Sequence, residues 1–142
     1  MIRRAETQDA QAMGQVLSDW IDATPWMPRL HTRAQDAGFC ARLIETADVW
    51  VAEASGGVGF VARKGDSIDA LYLAPDLRRQ GWGRALLEVA QIDRSRLTLW
   101  AFQANTPAIA FYNACGFAVV ERTDGQACDE KIPDLRMLWE RT

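Results

Sequence analysis

Leu71-Tyr72-Leu73-Ala74-Pro75-Asp76-Leu77-Arg78-Arg79-Gln80-Gly81-Trp82-Gly83-Arg84-Ala85-Leu86-Leu87 is the stretch that decides the fold. An apolar run ends near a proline, a turn with two glycines follows, and an amphipathic segment begins there. Strand, glycine turn and helix in that order make an anion cradle. Glycines let the backbone approach a ligand, the first N–H groups of a helix have no internal partners, and the helix dipole favours negative charge there. Arg78 and Arg79 add guanidinium charge beside it. Two familiar phosphate loops are excluded. No lysine and hydroxyl follow Gly83, as G-x-x-x-x-G-K-[ST] requires, and Leu86 holds the place of the third glycine of G-x-G-x-x-G. On its own, the glycine pair is equally the mark of a tight turn.

Working outward, Leu97 to Ala101 reads as a strand, followed by a helix from about Asn105 to Ala114 that Gly116 stops. Upstream, Val49–Glu53 and Val58–Ala62 are strands joined by the hairpin signal Ser55-Gly56-Gly57, and Lys64-Gly65-Asp66 turns the chain into a third strand, Ile68–Leu73. Met1–Ala5 is a short strand. Thr7 is the expected cap of a helix with Met13, Val16, Leu17, Trp20 and Ile21 on one face. Pro25 and Pro28 end it, and a second helix from about Thr32 to Ala47 is expected to bury Phe39, Leu43 and Ile44. Phe117–Glu121 and Leu135–Trp139 close the chain as strands. The order β-α-α-β-β-β-α-β-α-β-β predicts a mixed α/β fold with a parallel crossover in its middle. No repeat or long linker interrupts it, so residues 1–142 read as one domain.

The 142 residues are 49% hydrophobic and 25% charged, with a net charge of −3, so no global basic field attracts nucleic acid or anionic lipid. Three cysteines and the single His31 show no zinc-ligand spacing, and no metal is expected. The first residues lack an apolar leader, and no apolar run reaches membrane-spanning length. A cytoplasmic setting is the expectation.

Arg78-x-x-Gly81-x-Gly83 resembles the R/Q-x-x-G-x-G/A pyrophosphate-binding motif of the GNAT acyl-CoA N-acyltransferases. A second block, Asn105-Thr106-Pro107-Ala108-Ile109-Ala110-Phe111-Tyr112-Asn113-Ala114-Cys115-Gly116-Phe117, resembles that family's N-x-x-A-x-x-F-Y-x-x-x-G-F pattern at every named position. The similarity is good over roughly residues 49 to 117; the flanks match only in element order. It implies acetyl-CoA as co-substrate, a primary amine on a small molecule or peptide as acceptor, and a sheet whose central strands splay between Ile68–Leu73 and Leu97–Ala101. A homodimer is left open.

The resemblance also implies residue roles. The amides of Arg79, Gln80, Gly81, Trp82, Gly83 and Arg84, with the Arg78 side chain, would surround the pyrophosphate, and the two glycines stand where side chains would collide with it. A bulged strand would offer the backbone of Leu71 and Leu73 to the pantetheine arm, the Leu73 amide serving the oxyanion. Asn105 would contact pantetheine, although it suits a helix N-cap as well. Tyr112 would protonate the departing thiolate; its other reading is packing beside Phe111. A phenol of pKa near 10 stays neutral at pH 7 and can serve a thiol of pKa near 8.5.

No general base stands out. Trp100 occupies a position where some relatives carry glutamate, and Asp69 and Glu53 read equally as solvated strand charges. The loop from Thr24 to Thr32 is expected to shape the acceptor pocket. There Trp26 stacks on a cation or plugs the core, and His31 relays a proton or caps the second helix. A non-catalytic acyl-CoA-binding module is the competing reading, against which Tyr112 argues.

Overall fold

The computed structural model describes residues 1–142. Its elements follow the expected order: β1 (Ile2–Arg4), α1 (Ala10–Ala23), α2 (Arg33–Thr46), β2 (Asp48–Ala54), β3 (Gly57–Lys64), β4 (Ser67–Leu73), α3 (Trp82–Gln91), β5 (Arg96–Phe102), α4 (Thr106–Ala114), β6 (Ala118–Thr123) and β7 (Asp134–Glu140). Short 3-10 turns at Thr7–Asp9 and Pro75–Leu77 were not foreseen.

The strands form one sheet in the order β1-β2-β3-β4-β5-β7-β6. Every neighbouring pair is antiparallel except β4 and β5, which run parallel. These two share only the pairs Ser67↔Thr98 and Ile68↔Leu99. Thr98 N–H also donates to Asp66 C=O at 2.7 Å, and beyond this short seam the strands part. The expected splay is present. It leaves Leu71–Leu73 and Trp100–Phe102 as the two arms of a V.

The bulge lies earlier than expected. Ala62 pairs with Ala70 and Arg63 with Ile68, so Asp69 is the extra residue, rather than one of Leu71–Leu73. Its effect is readable in the packing. Residues three apart on a regular strand point to opposite faces, yet Ile68 and Leu71 both meet the α3 side while Ala70 and Tyr72 meet the α1–α2 side.

Two apolar layers result. Val61, Leu86, Leu87, Leu97, Leu99, Phe117, Leu135 and Met137 fill the face under α3, and Met13, Leu17, Cys40, Leu43, Val51 and Phe60 fill the face under α1 and α2. Two expectations about those helices need correction. Glu6, not Thr7, caps the entry turn, and Phe39 is 37% exposed, whereas Asp36, Cys40 and Leu43 form the buried stripe of α2. The cause is the close crossing of α1 and α2. A Cβ at Gly14 would lie 2.6 Å from Ala37 Cα, so the Ala37 side of α2 turns inward and Phe39 rotates out. Thr32, rather than His31, caps α2 in a reciprocal box with Gln35.

Candidate active site

The glycine turn builds the anion cradle. After the Pro75–Leu77 turn, Arg79 (φ 63°) and Gly81 (φ 85°) both take left-handed backbone, and α3 starts at Trp82. The first helical bond runs from Ala85 N–H to Gly81 C=O at 3.0 Å, so the amides just ahead of it lack intrahelical partners. The site residues contribute unequally. Arg78 reaches back to Leu73 C=O (3.3 Å), Arg84 reaches Ala114 C=O (3.3 Å), and Gln80 donates to Asp76 C=O (2.6 Å). Arg79 is exposed, while the Trp82 ring packs into the core under α3.

The two glycines do different jobs. A Cβ on Gly81 would meet open space, so backbone conformation, with room for a ligand, is what that position needs. A Cβ on Gly83 would sit 3.1 Å from Phe111 Cζ. Gly83 therefore lets α3 lie against α4, which fixes the cradle relative to Tyr112.

Asn105 caps α4, its Oδ1 accepting from Ala108 N–H at 3.3 Å. Tyr112, on that helix, packs between Phe111 (centroids 5.4 Å) and Phe117 (5.7 Å) and keeps some solvent contact. Apolar surroundings push its phenol pKa above the usual 10, and the proximity of Tyr72 adds to the rise. Tyr112 comes from the α3–α4 face and Tyr72 from the other, so the two sense each other across the sheet where β4 and β5 diverge.

On the Tyr72 side an aromatic chain lines the opening. Tyr72 contacts Trp20 (5.4 Å), Trp20 contacts Trp26 (5.9 Å), and Trp26 contacts Phe102 (5.7 Å). Trp26 is thus brought to the mouth of the V. His31 is exposed, contributes only its carbonyl to Arg29, and does not join this group. Asp69 sits at the bulge next to the closed seam, where it accepts from Ser67 Oγ at 2.7 Å. Glu53 is bound to Arg3 at the β1 edge.

Beside the free arm of β5 lies a cleft of about 320 Å³ lined by Trp100, Phe102, Thr123, Cys128, Glu130 and Asp134, among others. Burial lifts the Tyr72 phenol to about 12, and the Glu130 carboxylate adds to the rise, which places that acid near the same opening. Glu130, Asp134, Phe102 and Tyr72 escaped the sequence reading. The only signal was the acid-rich run Asp124–Asp134, and nothing in it reveals that the loop folds back over β5.

The family described as acetyltransferase (GNAT) domain matches residues 45–119. Peptidyl-lysine N-acetyltransferase YjaB of Salmonella typhimurium is 29% identical over 140 residues, covering 97% of each chain. Peptidyl-lysine N-acetyltransferase YiaC of Escherichia coli is 34% identical over 128 residues, covering 85% of each. The solution structure of apo-form YjaB from Escherichia coli superimposes with a TM-score of 0.79 at 28% identity, covering 98% of this chain and 96% of that one.

Proposed function

This chain belongs to the GNAT acetyltransferase family, and from that premise we propose that it transfers an acetyl group from acetyl-CoA to the side-chain amine of a lysine in a peptide or protein. Both curated relatives just described carry the name peptidyl-lysine N-acetyltransferase, which favours this acceptor over a free metabolite. The observation that carries the reading is one juxtaposition. The unpartnered amides at the start of α3 follow β4, the strand that parts from β5, and Gly83 in that first turn packs against Phe111, the ring beside Tyr112.

The residues divide the work. The amides from Arg79 to Arg84 and the guanidinium of Arg78 hold the pyrophosphate of the co-substrate, to which this loop offers donors and no nearby carboxylate but Asp76. The free backbone edge of Leu71–Leu73 pairs with the pantetheine amides as an added strand does, and the Leu73 N–H supports the thioester oxygen as charge develops there. Asn105 keeps its amide donors for the same arm, because its Oδ1 is committed to the α4 cap.

Tyr112 supplies the proton that the departing sulfur takes up. Burial holds the phenol neutral throughout the physiological range, which a proton donor requires. The same burial makes the phenolate costly, so the proton moves as the C–S bond breaks rather than before. Trp26 and the rings beside it wall the acceptor side of the opening.

The test is single-turnover thiol release with an end-blocked lysine peptide as acceptor, alongside calorimetric binding of acetyl-CoA. Acceptor-dependent release with mass gain of 42 Da on the lysine, a value fixed by acetyl chemistry at about that figure, supports the reading. Acetyl-CoA binding without transfer to any lysine or other amine overturns it.

A further inference from the structure

The buried residues of α1 and α2 include two polar side chains among Met13, Val16, Leu17, Cys40 and Leu43. Ser18 is fully buried, and Asp36 is 3% exposed. A carboxylate so placed is costly unless hydrogen bonds and an opposite charge meet it. Ser18 Oγ donates to Asp36 Oδ2 from the facing helix. The cation comes from neither helix. Arg29, in the loop between them, donates to the same oxygen at 3.0 Å.

The other donors of that guanidinium are also engaged. Nε donates to Asp22 Oδ1 (2.7 Å), one terminal nitrogen to Ser18 C=O (3.0 Å), and the nitrogen that serves Asp36 also to His31 C=O (2.9 Å). One side chain thus ties α1, α2 and the loop together. The backbone does little of this work. From Pro28 to His31 no backbone hydrogen bond holds the chain, and upstream Met27 N–H donates to Thr24 C=O at 3.1 Å. The contacts carry unequal weight. Asp22 is half exposed, and Arg33 shares it at the surface, where ion pairs contribute little. The Asp36 contact differs, because its loss leaves a buried charge uncompensated.

A buried ion pair is nonetheless no better for stability than apolar residues of the same volume. Its distinctive product is a fixed place for one loop residue. Three positions before Arg29 stands Trp26, in edge contact with Trp20 and Phe102 at the mouth of the V. We infer that Arg29, seated on buried Asp36, is a positioning residue for the acceptor side: it holds the α1–α2 loop so that Trp26 is in place before an acceptor arrives. The inference rests on the reading of that opening as the place of transfer. Arg29 acts through Trp26 and takes no part in the chemistry. With the loop released, only a fraction of molecules presents Trp26 correctly, and acceptor affinity falls by that fraction. None of the Arg29 bonds involves the turn from Arg78 to Arg84, so the co-substrate side is left alone.

The experiment uses the full chain with acetyl-CoA and an end-blocked lysine peptide. Arg29→Ala leaves Asp36 uncompensated and should lower both Tm and acceptor affinity. The deciding form combines Arg29→Met, Asp36→Leu and Ser18→Ala, which removes the whole network and keeps an apolar crossing. A merely structural network predicts that this triple variant, with Tm restored, also recovers the wild-type acceptor KM. The positioning role predicts restored Tm with acceptor KM still raised about tenfold, while kcat and acetyl-CoA Kd stay within about twofold. Fluorine NMR of 5-fluorotryptophan-labelled chain, with the Trp26 signal assigned by Trp26→Phe, reads the loop without any acceptor. That signal should shift and broaden in the triple variant, whereas the Trp50 signal from β2 stays in place. Arg29→Lys keeps the charge on Asp36 but loses the fork. Its acceptor KM should rise about threefold with the Trp26 signal displaced, and it decides the matter alone if the triple variant does not fold. An unchanged Trp26 signal, or a wild-type acceptor KM in the folded variants, overturns the assignment. The two readings separate. Wild-type protein that transfers acetyl to no lysine sinks the functional reading, and the Trp26 signal still judges the role of Arg29. Lysine transfer with a KM indifferent to Arg29 sinks that role and keeps the function.

Discussion

The indole of Trp26 stands edge-on to the ring of Phe102, centroids 5.7 Å apart and planes 65° to each other. This contact ties the α1–α2 loop to the diverging arm of β5. The loop is pinned from behind by Arg29, which donates to Asp22 (2.7 Å), Asp36 (3.0 Å) and Ser18 C=O (3.0 Å). Trp26→Ala should raise the acceptor KM while leaving the acetyl-CoA Kd unchanged. In a thermodynamic cycle with Phe102→Leu, read by urea unfolding, the pair should show coupling of about 0.5–1.5 kcal/mol. Additive effects would mean that the rings touch without cooperating.

Tyr112→Phe deletes one hydroxyl from a ring already held by Phe111 and Phe117. Stability and acetyl-CoA affinity should barely change, while kcat falls by about 10²–10⁴, the range of a positioned general acid. The acid works only while protonated, and burial raises its pKa, so its ionisation should cause no loss of rate below about pH 10. Single-turnover thiol release across pH 7–10 checks both statements. A rate loss below about threefold would remove Tyr112 from the chemistry.

Gly81 and Gly83 should fail in different ways. Gly81→Glu sets a carboxylate and a strained left-handed backbone at the cradle; calorimetry should show acetyl-CoA binding largely abolished in a chain that still folds. Gly83→Ala pushes a methyl toward Phe111 Cζ, 3.1 Å away, and should lower Tm first. Phe111→Leu should recover part of that loss. Recovery would identify the defect as helix crowding rather than a lost ligand contact.

Alkaline conditions should destabilise the fold early. Burial holds the Cys40 thiol at about 12 against an ordinary 9.0, and the Tyr72 phenol at about 12 against 10.0. Each is neutral when protonated, and the folded state keeps the proton longer than the unfolded chain does. Their contribution is therefore intact below about pH 9 and lost as pH rises toward 12. Urea midpoints at pH 8 and pH 10.5 should fall, and Cys40→Ala should lower the first midpoint while shrinking the difference between them.

The element order and the cradle were legible because each is written locally, whereas the splay was expected only from the family resemblance. Leu73-Ala74-Pro75 ends a strand, Gly81 supplies a left-handed turn, and Asn105 opens a helix. Phe39 misled because helical periodicity ranks apolar faces without knowing where a neighbour crosses, and the Gly14–Ala37 contact decided that. The bulge escaped for a similar reason: Asp69 is extra only relative to the register of β3. Glu130 lay furthest from local inference. Its place in the cleft comes from a loop folding beside β5, some thirty residues earlier in the chain, and no spacing rule encodes that proximity.

The brief seam at Ser67–Ile68 and Thr98–Leu99 also makes this sheet a pair of levers. From Ile68 to Leu73 the arm runs about 16 Å, so turning it by only ~2° at the seam swings its tip by ~0.6 Å. Catalytic geometry tolerates about 0.5 Å. A slack fulcrum would therefore misalign the reacting groups without touching any of them. Stiffness at one end of the sheet is the condition for precision at the other, and substitutions at Ser67 or Thr98 should surface as lost turnover well before they surface as unfolding.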